Sequence, residues 1–187
     1  MSDLSLARAA LDVTPPPGLG AQVEAVASRG MVTIRGDLGD AGFAGALQAA
    51  TGCAVPAVRR STEAGDRRVL WMSTDEVMVF CPWGEASGVV AAFMDRAGDA
   101  SVLALDVSDA RAVFRVSGEK AWRVLAKGAP VDLERMETGE VRRTRLAQVP
   151  AAFWLHEGGA TVICFRSVAR YVEDILRVST RTPVGHF

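Results

Sequence analysis

The sequence predicts an α+β fold built from two ferredoxin-like halves of β-α-β-β type, and three observations favour it. Over residues 31–107 the apolar pattern gives the order β-α-β-β-α-β, which is that of a split βαβ sandwich. Over residues 108–178 the order is β-α-β-β-β-α, which is similar without a strict sequence repeat. The chain has 187 residues, of which 49% are hydrophobic, so it is long enough to bury a substantial core.

The first half begins with a predicted strand at residues 31–35, followed by a helix. Asp40 is the expected N-cap of this helix, because its carboxylate can accept the free N–H groups of the first turn. The helix is expected to end at Gly52, and its apolar residues at helical spacing are Phe43, Ala46, Leu47 and Ala50. Residues 53–68 hold a proline and a run of mixed charges, which predicts an exposed loop.

Two predicted strands at residues 69–72 and 77–81 flank a short polar turn, which is the spacing of a hairpin. They are apolar on both faces, so they are expected at the centre of a sheet. A helix over residues 86–97 carries one apolar stripe and ends before a glycine. Residues 102–107 are predicted to return as the last strand of this half.

The second half opens with a predicted strand at residues 112–116. Ser117 is the expected cap of a helix that ends at Gly128, and Ser167 is the expected cap of the last helix. Three more strands are predicted between these helices, at residues 144–149, 151–155 and 161–165.

The predicted domain organisation has three parts. Residues 1–30 contain three consecutive prolines and only scattered apolar residues without a clear periodicity, which favours an N-terminal arm. Residues 31–178 form a single domain with halves at 31–107 and 108–178. Residues 179–187 are expected to form a C-terminal tail.

Charge and hydropathy disfavour several classes of partner. The formal net charge is -1, so no field of one sign attracts nucleic acid or anionic lipid, and neither is expected as a partner. No apolar stretch approaches the ~20 residues of a membrane-spanning helix. The first residues lack a basic region followed by an apolar core, so a cytoplasmic location is expected.

Residues that could carry catalysis or bind a metal are sparse. The three cysteines, Cys53, Cys81 and Cys164, lie far apart in or beside apolar sequence and are expected to be reduced core residues. His156 lies at a predicted turn without the spacing of a zinc site. The glycine-containing run 36–45 lacks the dinucleotide fingerprint and is expected to be a plain turn and helix cap. No catalytic residue, metal site or cofactor site is therefore predicted in this chain.

Aromatic residues and an arginine pair instead suggest contacts with other chains. Large aromatic side chains at positions that look exposed, in greater number than a monomer of this size needs, are typical of an obligate subunit. Two guanidinium groups on one side of a predicted strand could receive an acidic partner surface, although a solvated edge is the alternative. The candidate interface residues are Trp71, Trp83, Asp109, Arg111, Arg143, Arg145 and Trp154.

Residues 105–128, LDVSDARAVFRVSGEKAWRVLAKG, resemble the gamma subunit family of heterotetrameric sarcosine oxidase. Shorter segments support the resemblance: LWMSTDE at 70–76, PVDL at 130–133, TRLA at 144–147 and FWL at 153–155. The resemblance covers residues 31–178. Ser73 and Thr74 depart from the family, whose members tend to have Gly-Pro there, which leaves the turn type open.

The resemblance implies a fold like the amino-terminal, folate-binding part of the glycine-cleavage T-protein. It also implies a non-catalytic structural subunit, without its own cofactor, packed against larger subunits (alpha, beta and delta) that carry FAD, FMN, NAD, zinc and tetrahydrofolate. Such a complex oxidatively demethylates sarcosine to glycine and produces hydrogen peroxide with 5,10-methylenetetrahydrofolate or formaldehyde.

Two other functions remain open from the sequence. A stand-alone, folate-binding aminomethyl transferase would share the fold, but the acidic folate ligand of those relatives lies beyond the matched region. A homo-oligomeric interaction domain would also use exposed aromatic residues. Within residues 106–111, the carboxylates and Arg111 could form a turn that fixes the join between the halves, or Asp109 and Arg111 could face a partner from one side of an extended segment.

Overall fold

A computed structural model describes residues 19–27 and 29–181. This part of the chain contains ten strands: β1 Gln22–Ala25, β2 Gly30–Arg35, β3 Ser61–Ala64, β4 Arg67–Ser73, β5 Glu76–Cys81, β6 Leu103–Asp106, β7 Arg111–Ser117, β8 Val141–Leu146, β9 Val149–His156 and β10 Gly159–Phe165. It also contains four α-helices: α1 Ala41–Thr51, α2 Ala86–Ala97, α3 Ala121–Ala126 and α4 Ala169–Arg181. The predicted α+β class is confirmed.

The strands form two antiparallel sheets of five strands. The first sheet has the order β3-β4-β5-β2-β6, and the second has the order β1-β7-β10-β9-β8. In the first sheet, β5 lies between β4 and β2, and β2 lies between β5 and β6, which is the predicted split βαβ arrangement. In the second sheet, β8, β9 and β10 form a meander, β7 pairs with the other side of β10, and β1 is added at the edge beside β7.

Each sheet is covered by helices on its outer face and by the other sheet on its inner face. Side chains alternate between the faces of a strand, so β5 places Val77 and Val79 against α1 and α2 and places Met78 and Phe80 against the second sheet. The second sheet alternates in the same way, with Phe153 on the helix side. Burial on both faces explains why the central strands read as continuous apolar runs.

Helix α1 shows how its local sequence sets its ends. The Asp40 carboxylate accepts a hydrogen bond from the Phe43 backbone N–H at 2.8 Å, as predicted for an N-cap. Gly52 ends the helix with a φ of 76°, a left-handed conformation that favours glycine. On the buried face, the Phe43 ring meets the Phe93 ring of α2 edge to face, with centroids 5.4 Å apart.

Part of the predicted arm is a strand. Residues 22–25 form β1 and pair with residues 114–117 of β7, and Val23 packs into the core on the helix side. One inward apolar residue in a four-residue edge strand gives too weak a periodicity to be read from sequence. Residues 1–18 of the predicted arm and residues 182–187 of the predicted tail lie outside the described residues, and residues 179–181 belong to α4.

The predicted loop at residues 53–68 also contains a strand, so that prediction is wrong there. Strand β3 pairs with β4 across a tight turn at Gly65, whose φ is 57°. Glu63 lies opposite Arg68 in this pairing, and the two side chains form an ion pair at 2.6 Å. The mixed charges therefore belong to an edge strand, where charged side chains are tolerated because one face meets water.

Two predicted helix caps and one strand boundary are also wrong. Ser117 is the last residue of β7, and α3 begins three residues after Gly118, whose N–H donates to the carbonyl of Gly158. Ser167 lies inside a 3₁₀ turn that precedes α4. Strand β8 ends at Leu146, because the chain reverses at Ala147 with a φ of 49°.

Candidate partner-binding surface

The inner face of the first sheet extends beyond the area that the second sheet covers. Cross-strand pairing sets Leu105 beside Thr33, and Thr33 beside Met78. Met78 is buried, whereas Leu105 is 49% exposed. Ala104, between the two leucines, points to the helices, so Leu103 lies on the same inner face as Leu105. Leu103 is 43% exposed. An apolar inner face therefore reaches the surface along β6.

A buried carboxylate lies at this end of the sandwich and joins the two sheets. The Glu76 side chain is 4% exposed, and its Oε2 lies 2.5 Å from a guanidinium nitrogen of Arg35 and 3.4 Å from one of Arg143. Arg35 belongs to β2 and Arg143 to β8 of the other sheet. Each arginine is about half exposed, so the carboxylate is buried between cations that remain in contact with water.

Arg111 lies next to this group at the start of β7. Its guanidinium stacks over the Phe165 ring at 3.9 Å from the centroid, and Phe165 itself is 45% exposed. Burial lowers the pKa of Arg111 from its ordinary value, Glu76 opposes this shift, and Arg143 adds to it. Arg111, Arg143, Glu76 and Phe165 line one small cavity of about 80 Å³, so the sequence-predicted Arg111 and Arg143 lie together.

Arg145 lies two residues further along β8, on the same face as Arg143. Its side chain is exposed, and within residues 19–27 and 29–181 it forms no ion pair. We call Arg35, Arg111, Arg143 and Arg145 the arginine cluster. Arg35 and Arg143 contact Glu76, Arg111 lines the same cavity and Arg145 follows along β8, so this end of the sandwich is locally positive.

The turn at residues 106–111 joins the halves through Asp106 and Ser108, without the guanidinium that one of the two sequence interpretations placed in it. Asp106 accepts hydrogen bonds from the N–H and hydroxyl of Ser108, and the Ser108 hydroxyl accepts one from the Met31 N–H at 2.9 Å. Arg111 takes no part in this network. Asp109 lies in a 3₁₀ turn with its side chain exposed and contacts Arg166, so the extended segment that would put Asp109 and Arg111 on one side is not present.

The three predicted interface tryptophans differ in exposure. Trp83 is 44% exposed in a 3₁₀ turn after β5. Trp71 is half-buried in β4. Trp154 is buried between the sheets, where it meets the Phe80 ring edge to face at 5.6 Å and lies beneath the Arg68 guanidinium. The expectation that Trp154 faces a partner is wrong, because the chain's own inter-sheet core encloses it.

A cleft of about 610 Å³ opens between the sheets beside Trp154. Its wall includes Arg115 and His156, and the His156 Nε2 lies 3.1 Å from the buried Thr161 hydroxyl. His156 Nδ1 lies 3.0 Å from the carbonyl of Glu157, so both ring nitrogens have local partners. In the described part of the chain, no group of three or more His, Cys, Asp or Glu residues could hold a metal ion.

All three cysteines are buried and free, as predicted. Burial raises the pKa of the Cys164 thiol to about 11 and also raises the pKa values of Cys53 and Cys81. Since the thiolate is the reactive form, Cys164 at pH 8 should carry about 100-fold less thiolate than a thiol at its ordinary value of 9.0.

We therefore expect Cys164 in the folded chain to react with iodoacetamide at pH 8 at least ~100-fold more slowly than in urea. Mass spectrometry of peptides after timed labelling measures both rates. Equal rates in the folded and unfolded chain would contradict the burial of this thiol.

Sequence analysis missed four members of this surface: Arg35, Glu76, Leu103 and Leu105. Glu76 read as part of a polar turn, because its partners lie 41 and 67 residues away. The two leucines read as ordinary strand residues. Their alternation with Ala104 predicts that both leucines lie on one face of the strand. Only the arrangement of the two sheets shows that the second sheet does not cover this face.

None of the helices in residues 19–27 and 29–181 combines the length and apolarity that crossing a bilayer would require.

Comparisons with known proteins agree with this fold. A family model described as "Sarcosine oxidase, gamma subunit family" matches residues 35–171. The chain is 35% identical over 141 residues to sarcosine oxidase subunit gamma of Corynebacterium sp. (strain P-1), a match that covers 71% of this chain and 66% of the relative. It is 34% identical over 127 residues to the same subunit of Arthrobacter sp., covering 66% and 61%. Both matches span just under two thirds of the relative's length.

Solved structures show the same architecture. A chain of heterotetrameric sarcosine oxidase from Corynebacterium sp. U-96, in complex with pyrrole 2-carboxylate, superposes with a TM-score of 0.76 at 24% identity, covering 99% of this chain and 98% of that chain. Glycine cleavage system aminomethyltransferase T from Bartonella henselae superposes with a TM-score of 0.65 at 13% identity, covering 87% and 47%. These likenesses establish the fold, and the family match over most of the sequence shows that the chain belongs to the sarcosine oxidase gamma subunit family.

Proposed function

We propose that this chain is a non-catalytic structural gamma subunit of a heterotetrameric sarcosine oxidase. The observation that carries the proposal is the family match over residues 35–171. A structural match over 99% of the chain to a protein whose complex is heterotetrameric supports it. In this proposal the alpha, beta and delta subunits carry FAD, FMN, NAD, zinc and tetrahydrofolate, and the complex demethylates sarcosine in the cytoplasm.

The surface described above gives this role a physical basis. Exposed aromatic side chains and arginines are residues that protein interfaces favour. Trp83, Phe165 and the arginine cluster provide them on the surface of this chain. The subunit then supplies binding surface to its neighbours and leaves electron and one-carbon transfer to them.

Co-expression of the larger subunits with and without this chain tests the proposal. With the chain, we expect a stable heterotetramer that consumes oxygen in a sarcosine-dependent reaction. Without it, we expect a lower yield of assembled complex, because exposed apolar surface on the larger subunits would be left uncovered. If the complex assembles and turns over sarcosine equally well without the chain, the structural role is wrong.

Calorimetric titration of the purified chain with tetrahydrofolate separates this function from a stand-alone folate-binding protein. The proposal predicts no saturable heat, because the folate site belongs to a larger subunit. Saturable binding would favour the alternative instead, with the cleft beside Trp154 as the first place to examine.

A further inference from the structure

Strand β6 combines a free edge with exposed apolar side chains. In the part of the chain that the structure describes, β6 pairs with β2 alone, so its other edge has unpaired backbone N–H and C=O groups. Soluble proteins usually protect such an edge with charged side chains or cover it with another segment. Leu103 and Leu105 instead leave the edge apolar on the inner face, which favours pairing with another chain.

A buried polar atom on the same face has no partner within residues 19–27 and 29–181. The Thr33 hydroxyl lies between Met78 and Leu105 in the cross-strand row, it is buried, and it makes no hydrogen bond. Buried hydroxyl groups in proteins are usually hydrogen bonded, because leaving one unpaired costs free energy. Because β6 lies between its free edge and β2, a segment added at that edge would need a long polar side chain to reach this hydroxyl across Leu105.

Charge identifies the chemistry of the partner. Arg35 lies beside Leu103 in the pairing of β2 with β6, and Arg111 and Arg143 surround the same carboxylate that Arg35 binds. Arg35 and Arg143 contact the Glu76 carboxylate and Arg111 lies beside it, so these three cations outnumber Glu76 and Asp75 of the adjacent turn. A partner with carboxylates would balance this charge, whereas a basic partner would be repelled.

We propose that an extended segment of a larger subunit adds to the free edge of β6, with both apolar and acidic side chains on the face that continues the inner face of the first sheet. Its apolar side chains pack on Leu103, Leu105 and Phe165, and its carboxylates pair with Arg111 and the neighbouring arginines. Strand addition of this kind takes affinity from main-chain hydrogen bonds and specificity from the side chains of one face. The inference rests on the proposed function, since it names where the larger subunits bind.

The test uses the co-expressed complex and the double variant Leu103→Glu/Leu105→Glu. We expect capture of the larger subunits by the tagged chain to fall by at least about tenfold, because the two new carboxylates would face an acidic segment. Val58→Glu is the matched control, since Val58 is a 65% exposed apolar residue away from β6. It should capture the larger subunits as the unaltered chain does.

Two further measurements distinguish a loss of binding from a loss of folding. Arg111→Gln should weaken capture, whereas Arg135→Gln, at an 88% exposed arginine in the loop after α3, should not. Hydrogen exchange of the unaltered complex should show slower exchange of the backbone amides at residues 103–106 than in the chain alone.

Full capture by the double variant, or unchanged exchange at β6, would overturn the inference while leaving the proposed function intact. A dimer of the purified chain that the double variant abolishes would also overturn it, because a second copy would then be the occupant. Failure of the unaltered chain to capture the larger subunits would instead contradict the proposed function.

Discussion

Replacing Trp154 by alanine is expected to lower the free energy of unfolding of the purified chain by about 3–5 kcal/mol. The side chain fills the space between the two sheets and contacts Phe80 and Arg68. Its removal would leave a cavity that flanking strands, fixed by hydrogen bonds on both sides, cannot close. Urea unfolding followed by circular dichroism measures the change.

Trp83→Ala is the matched control, because Trp83 is 44% exposed and lies in a short turn. We expect this substitution to cost about 0.5 kcal/mol, as is usual for surface positions. If Trp154→Ala were as mild as Trp83→Ala, Trp154 would not be part of the core, and its assignment to a partner interface would have to be restored.

The second large effect is expected from removing both cations that pair with Glu76. The double variant Arg35→Met/Arg143→Met should lower the free energy of unfolding by about 3 kcal/mol, because it leaves the buried carboxylate without either of its ion-pair partners. Glu76→Gln should cost only about 1 kcal/mol, since the two arginines are half exposed and can be hydrated.

A triple variant in which Glu76→Met accompanies the two arginine substitutions distinguishes the effect of the unpaired charge on stability from the effect of lost arginine packing. It should recover most of the lost stability, because an apolar group of similar volume replaces the unpaired carboxylate. Urea unfolding of the four proteins in one buffer makes the comparison. A triple variant no more stable than the double variant would show that packing by the arginine side chains, and not charge, holds the sheets together.

The fold was largely predictable from sequence where a helix or strand depends on residues close to one another in the chain. Helix α1 is an example, because Asp40, the apolar stripe and Gly52 act within a few residues of one another. Strand β5 is another, since burial on both faces favours the continuous apolar run at residues 77–81. Strands β1 and β3 were missed because each is a short edge strand, and its pairing depends on a partner elsewhere in the chain.

The candidate surface was predictable only in part. Arg143 and Arg145 could be named from strand alternation, and Trp83 from its surplus apolar surface, whereas Arg111 was named from an extended segment that the structure replaces with a 3₁₀ turn. The sequence pointed equally to Trp154, because an aromatic residue in a strand reads the same whether a second sheet or another subunit covers it. Glu76 gave no signal, since the meaning of a buried carboxylate depends on cations from two different strands.

By itself, the sequence determined the α+β class, most of the strands and helices, and the resemblance to the family, because these depend on local periodicity and short motifs. The tertiary structure alone decided which face of each strand is covered. It buried Trp154, joined Glu76 to both sheets and left Leu103 and Leu105 open. The physical reason is that burial is a property of two surfaces in contact, and the sequence of one strand specifies only one of them.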